Sequence, residues 1–407
     1  MNKLKEIKHT KLFDIIRYCR YLLYRFCIDK KFLSCKLQDD ITIKRILKTK
    51  ESFFGYYTIS PENNNGKIII CSPEKNGTVK IYVKDEKDIF NIGNTKSWNW
   101  QQGCMAQWGY TNQNLIYYNR FNEDKIRYET IIYDTNTHKI ADSLKFPVYS
   151  LSKQEDYVLS LNFDRLSLMR PDYGYFCKKD IKLPGNSEDG IWKTDIKTKK
   201  TSLIISLQEL IDLNPVISMK DAKHKVNHID ISPDGNRFMF LHRWVGPMGR
   251  FMRLITADRN GKDLYILNGD KMTSHSFWYS NNKILSFCYT PEYGNSYVLF
   301  TDKSDKIDLV SQKLPHEDGH PSVSPDKKYI ITDTYPNFAR MSQLLIYNIK
   351  EDNLLELGHF YQPLKYIGTK RIDLHPKWNM DGSSVYFESG HNGKRNLYRI
   401  NIPEGKR

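Results

Sequence analysis

A repeat, more than any single motif, limits what this chain can become. Four stretches of the C-terminal half begin with histidine and run into a common turn: His228-IDISPDG, His275-SFWYSNN, His320-PSVSPDK and His375-PKWNMDG. Asp234, Asp326 and Asp381 stand six residues after their histidines, Asn281 holds that place in the remaining copy, and an alternating apolar strand follows. The histidines are 47, 45 and 55 residues apart. That period suits a four-stranded propeller blade better than a helical array or a leucine-rich coil. If each histidine opens the innermost strand of its blade, all four point at one central channel.

The chemistry within each copy agrees. In Asn236-RFMFLH, Phe238 and Phe240 alternate with Met239 and Leu241, the pattern of a strand buried on both faces between neighbouring sheets. The Ser-Pro-Asp-Gly before it is turn chemistry: proline presets φ, aspartate bonds its own backbone and glycine accepts a positive φ. Further strand pairs are Tyr329-IITDTY with Gln343-LLIYNI, and Ser384-VYFES with Leu397-YRINI, with Asn392-Gly393 as a hairpin signal. Weaker copies lie around Trp108, around Tyr149 and in residues 53–82, which brings the count to seven blades. The expected fold is therefore all-β, a seven-bladed β-propeller over residues 51–407 behind a short basic helical arm over 1–50. The last blade supplies only about three strands of its own. An N-terminal segment such as Phe54-GYYTI or Val79-KIYV is expected to complete it and remove the open edge. Seven cysteines without a Cys-x-x-Cys give neither a disulfide framework nor a zinc knuckle, and read as reduced cytosolic thiols.

The first 50 residues differ from the rest. They hold 14 Lys/Arg against 5 Asp/Glu, more than half of the chain's net charge of +15. From Lys11 to Leu33 apolar residues recur at roughly helical spacing, but Arg17, Arg20 and Arg25 divide every apolar run, so neither a membrane span nor a signal-peptide core is present. Two readings stay open: a basic amphipathic helix on an anionic inner membrane face, or a helix packed on the propeller with its basic side solvated. No nucleic-acid-binding motif accompanies the charge. The location expected is cytoplasmic, soluble or peripheral at the inner membrane face.

A single histidine at the start of an inner strand usually bonds to the neighbouring blade. Four converging imidazoles are another matter, since with a carboxylate they can hold a divalent cation. Asp373, two residues before His375, shares its face of the strand. Mixed nitrogen and oxygen ligation suits manganese, iron or zinc. His9, His138, His224, His316, His359 and His391 follow no pattern and read as surface or loop residues, while His242, in His242-Arg243-Trp244, belongs elsewhere in its blade.

The order of these segments resembles the oligogalacturonate lyases, running from His228-IDISPDGNRFMFLHRW through Arg250-FMRLITADRNG, His275-SFW and Gly319-His320 to Leu374-His375-PKWNMDG. TolB-like propellers, which bind proteins, share the Ser-Pro-Asp-Gly blades. The lyase resemblance covers about residues 225–401 and implies a manganese-type ion in the channel and cleavage of acidic oligosaccharides by β-elimination. It implies His320 and His375 as metal ligands, to which the strand pattern adds Asp373, and His275 with Arg253 or Arg250 beside the substrate. His228, Arg243 and Lys370 are further candidates for holding substrate. Where that family carries a glutamine and another histidine just before the last ligand, this chain carries Lys370 and Asp373. Removing a proton next to a uronate carboxylate requires that the developing charge be neutralised, which a divalent ion and an arginine can do at fixed geometry. Phosphate-binding glycine loops and nucleophile elbows are absent. The alternative is a non-catalytic propeller held at a membrane by its arm, binding a glycan precursor or a partner protein in polysaccharide assembly.

Overall fold

The computed structural model describes Ile16 and residues 18–23, 34–269 and 271–402. Seven antiparallel sheets follow one another along the chain, spanning 68–95, 107–144, 150–206, 223–268, 273–309, 322–361 and 377–401. They are the seven blades of a β-propeller. The long interval before His228 holds one blade with an insertion, residues 161–189, which carries the short helix Phe163–Met169 between two neighbouring strands. The alternation in the fourth blade does what its pattern requires. Phe238 and Phe240 join the core shared with the third blade, whereas Met239 and Leu241 join the core shared with the fifth. At the repeat's turn, Ser232 donates its hydroxyl to Asp234 at 2.6 Å, and Gly235 takes φ +72°.

The strand that completes the last blade is neither of those expected. Ile43–Arg45 pairs antiparallel with Asn396–Asn401, giving the seventh blade its outer strand, and Cys35–Leu37 adds a fifth strand to the sixth blade. Both lie within the stretch read as the arm. Val79–Lys84 is a strand of the first blade, and the Phe54–Tyr57 segment turns into the channel instead. Sequence patterning favoured those two segments because they are longer and more apolar. A three-residue edge strand carries too few residues to show a period.

Within the arm, Tyr21 stacks on Tyr361 of the sixth blade, donates its hydroxyl to the Tyr361 oxygen at 2.7 Å, and has Arg20 beside it over the Phe338 ring. This part of the arm packs on the propeller. Most of the Lys11–Leu33 stretch lies outside the described residues. Among the described residues no helix is long and apolar enough to cross a membrane, and Cys19, Cys35, Cys71, Cys104, Cys177 and Cys288 are free thiols.

Candidate metal centre

Each of the four repeat histidines stands at or just before the first strand of its blade, and all four are buried. The rings of His320 and His275 lie 4.0 Å apart, those of His320 and His375 4.3 Å, and those of His275 and His228 5.4 Å. His228 and His375 adopt positive φ, at 54° and 46°, which β-strand residues rarely do. At His228 the left-handed residue falls in the register shift between Asn227 and Asp230, where the ladder is interrupted. Strain of this kind persists where surrounding structure enforces it.

Side chains around the histidines fix which ring nitrogen faces inward. Nδ1 of His320 lies 2.8 Å from Asp333 Oδ1, and Nδ1 of His375 lies 3.2 Å from the Gly55 carbonyl oxygen. Both partners can only accept, so in each neutral ring Nδ1 carries the proton and Nε2 keeps its lone pair. Asp333 also receives the backbone N–H groups of His320 and His375, at 2.7 and 3.1 Å. One buried carboxylate thus orients two blades. Asp373 accepts from Arg371 Nε at 2.9 Å through Oδ2, leaving Oδ1 unpartnered. Among the described residues, Nε2 of His320, Nε2 of His375 and Oδ1 of Asp373 are buried without a hydrogen-bond partner. One ligand atom from each of these three residues lies within 4.8 Å of the others. Buried polar atoms left unpaired are costly. Two imidazole lone pairs and a carboxylate oxygen at this separation fit a divalent cation with mixed nitrogen and oxygen ligation.

Electrostatics favour the neutral form at His375 and His275 and oppose it at His320. Burial pushes His375 well below the ordinary histidine range, helped by His320 and Lys377, so the ring is neutral and able to ligate. At His320 burial opposes the charged form, but Asp333, and behind it Asp373, outweigh it and raise the pKa. Burial lowers His275, with His320 adding to the effect and Asp318 opposing it. The His275 Nδ1 lies 3.1 Å from Asp318 Oδ1, and Ser274 donates to the other Asp318 oxygen at 2.5 Å. Nε2 of His275 is therefore its lone-pair nitrogen.

Tyr56 and Tyr57 cross the channel beneath the histidines. Tyr56 bonds through its hydroxyl to His228 Nδ1, and the ring of Tyr57 packs within about 6 Å of His275, His320 and His375. Gly55 makes this crossing possible. Its φ is +122°, and a Cβ there would stand 2.5 Å from the backbone of Gln102. Its carbonyl also receives Lys377 Nζ at 2.7 Å. Gly55→Ala is expected to destabilise the chain by more than about 2 kcal/mol and to weaken metal binding, since the backbone must shift and carry the carbonyl that holds His375 out of place. A urea midpoint and a metal titration unchanged by the substitution would refute this role.

Above the histidines a cavity of about 440 Å³ opens between Arg170, Arg243, His275, Asp318 and Tyr335. Arg243 is buried, its Nε has no partner, and burial with Arg170 beside it pushes its pKa down to about 10. Lys225, across the strand pair from Arg243, is pushed down to about 7 by burial and then by Arg243. At the mouth of the site Arg243 thus stands across from Asp318, with Arg170 beside it paired to Asp172 at 3.2 Å.

The structure brings together His320, His375 and Asp373, sets His275 and His228 beside them, and places Arg243 at the cavity above. It does not bring the other three candidates there. Arg253 is buried inside the fourth blade, donating to the Asn214 carbonyl oxygen at 2.8 Å and lying 5.1 Å from the Trp244 ring. Arg250 is exposed next to the 246–249 hairpin, and Lys370 is exposed on the turn Gly368–Lys370. The arginine that meets the ligand set is Arg371, one residue further on. His224 and His391, read as surface or loop residues, are buried, and His224 Nδ1 lies 3.0 Å from His242 Nε2. Sequence reading also missed Asp333, Asp318, Gly55 and the Tyr56–Tyr57 pair. The one available signal was Asp333, a charged residue ending the strand Tyr329–Asp333, which is buried throughout.

No protein-family model matches the chain, and no curated protein matches it significantly. Among solved structures it is similar to an oligogalacturonate lyase from Vibrio parahaemolyticus, at TM-score 0.63 and 12% identity over 92% of this chain and 97% of that one. An oligogalacturonate lyase in complex with manganese gives 0.59 and 12%, over 92% of this chain and 99% of that one. One of two prolyl endopeptidases described together gives 0.51 and 10%, over 95% of this chain and 52% of that one. At such identities the likeness shows the fold, a seven-bladed propeller.

Proposed function

We propose that this protein is a divalent-metal-dependent lyase of acidic oligosaccharides, with manganese as its ion and a uronate unit as the group acted on. The observation that carries the reading is the set of buried, unpartnered ligand atoms on His320, His375 and Asp373. A divalent cation held there would neutralise the charge that grows on a uronate carboxylate as the adjacent proton leaves. Arg243, whose guanidinium faces the cavity with its Nε unpaired, takes the same carboxylate from the other side. His275 Nε2 accepts the proton from the carbon next to the carboxylate, while Asp318 holds the ring through Nδ1. The electron pair of that C–H bond becomes a carbon–carbon double bond, the glycosidic C–O bond breaks, and the departing oxygen is protonated from solvent. The low pKa of His275 keeps it unprotonated and ready at neutral pH. The likeness to oligogalacturonate lyases supports this reading at the level of fold.

The test is ultraviolet absorbance of the conjugated product during incubation with an oligogalacturonate. Absorbance is expected to rise with manganese present and to stay flat after chelation, and Arg243→Ala should slow the rise by on the order of 100-fold. Stoichiometric metal binding without any absorbance change, across galacturonate, glucuronate and mannuronate oligomers, would overturn catalysis and leave a binding protein.

A further inference from the structure

A second cavity, of about 420 Å³, lies beside the proposed metal centre. Its walls include Trp98, Trp100, Phe176, Asn99, Asp172 and Thr369. Three of these are aromatic, and Phe176 is 65% exposed. Trp98 and Trp100 stand edge to face, with centroids 5.0 Å apart, and Trp98 is fixed by its Nε1 donating to the Gly77 carbonyl at 2.9 Å. Asn99 is the second, independent sign of a ligand. It is 94% buried, since its relative exposure is 6%, and its Oδ1 accepts from the backbone of Gln101 and Gln102 at 3.0 and 2.8 Å. Its Nδ2 has no partner among the described residues. A buried amide donor left unpaired beside two half-buried tryptophans and the exposed Phe176 fits a ligand that brings an oxygen acceptor together with an apolar face.

The charged groups of this cavity are already matched. Asp172 accepts from Arg371 at 2.6 Å and from Arg170 at 3.2 Å, and Lys96 is paired with Glu123 at 2.8 Å. Nothing in it demands a charged guest. Arg371 also bonds Asp373, so a single guanidinium separates the wall of this cavity from the metal-ligating carboxylate. We infer that the cavity is a subsite for an uncharged pyranose ring, stacked on Phe176 and the tryptophans and hydrogen-bonded through a hydroxyl oxygen to Asn99. The substrate is then a mixed oligosaccharide, with a neutral hexose next to the acidic unit. The inference rests on the reading above for the acidic unit's placement, while the subsite itself needs no metal.

Intrinsic tryptophan fluorescence of the full chain reads this directly, because the two tryptophans form the wall. The probes are cellotetraose, maltotetraose, mannotetraose, β-1,4-galactotetraose and tetragalacturonate. At least one neutral tetrasaccharide is expected to change the emission saturably, equally well before and after chelation. Phe176→Ala, at an exposed site that does not disturb the core, should weaken that binding about five- to tenfold, as loss of one stacking ring would. His320→Ala should leave it unchanged. If no neutral probe binds, if tetragalacturonate alone binds, or if Phe176→Ala binds like the parent, the subsite is wrong even where the metal centre stands. Failure of metal binding with Phe176-dependent saccharide binding intact removes the lyase reading and leaves the subsite.

Discussion

His320→Ala or His375→Ala is expected to abolish one-per-chain binding of manganese or zinc, lowering affinity by at least about 100-fold, with the fold retained. Each substitution deletes one of three protein donors whose atoms converge within 4.8 Å. The effect on stability should be smaller, because each ring makes one side-chain hydrogen bond, to Asp333 or to the Gly55 carbonyl. Losing such a bond costs about 1–3 kcal/mol when a buried partner is left behind. Asp333→Asn tests the same geometry from behind: it keeps the side chain's shape but weakens its hold on His320, and should cost about 10- to 100-fold in metal affinity. Titration of metal-free protein by calorimetry, alongside thermal unfolding, separates these outcomes. Undiminished stoichiometric binding in His320→Ala would end the metal centre and the lyase chemistry with it.

What could be read in the sequence follows from which features recur. The blade turns, the alternating strands and the inward histidines repeat with a period, so the count of seven and the convergence of His320 and His375, with Asp373 two residues before the last, are legible in the sequence alone. Arg243 was visible only by its neighbourhood to the repeat. The positioning of these groups was not, because it depends on contacts between blades distant along the chain. Asp333 gathers backbone and side-chain donors from 13 and 42 residues away, and Gly55 meets His375 across 320. Lys370 was proposed from its offset to His375, but the 3-10 turn Gly368–Lys370 carries it outward and turns Arg371 toward Asp373 instead. Arg253 failed for a related reason. Its register opposite His242 places it among the interior side chains of the fourth blade, where Trp244 and the Asn214 carbonyl occupy it.

Closure of the ring gives the other large effect. Deleting residues 1–33 should lower melting only modestly, through loss of the buried Tyr21 and its stack on Tyr361, whereas deleting 1–47 should unfold the chain or lower its stability by on the order of 5 kcal/mol. The longer deletion removes Ile43–Arg45, without which the seventh blade keeps three strands and an open edge. It also removes Ile41 and Ile46, both buried, and the hydrogen bond from Ile46 N to the Leu397 oxygen at 3.0 Å. A buried isoleucine contributes about 1.5–3 kcal/mol, and total stabilities run near 5–15 kcal/mol, so two of them with a strand's pairing is a large share. Deleting 1–39 separates the two N-terminal strands. It takes only Cys35–Leu37, the fifth strand of a blade that retains four, and should shift the urea midpoint far less than the deletion to 47. The closing contact is thus assigned to a three-residue strand, and equal midpoints for the 1–39 and 1–47 deletions would show that the ring holds without it.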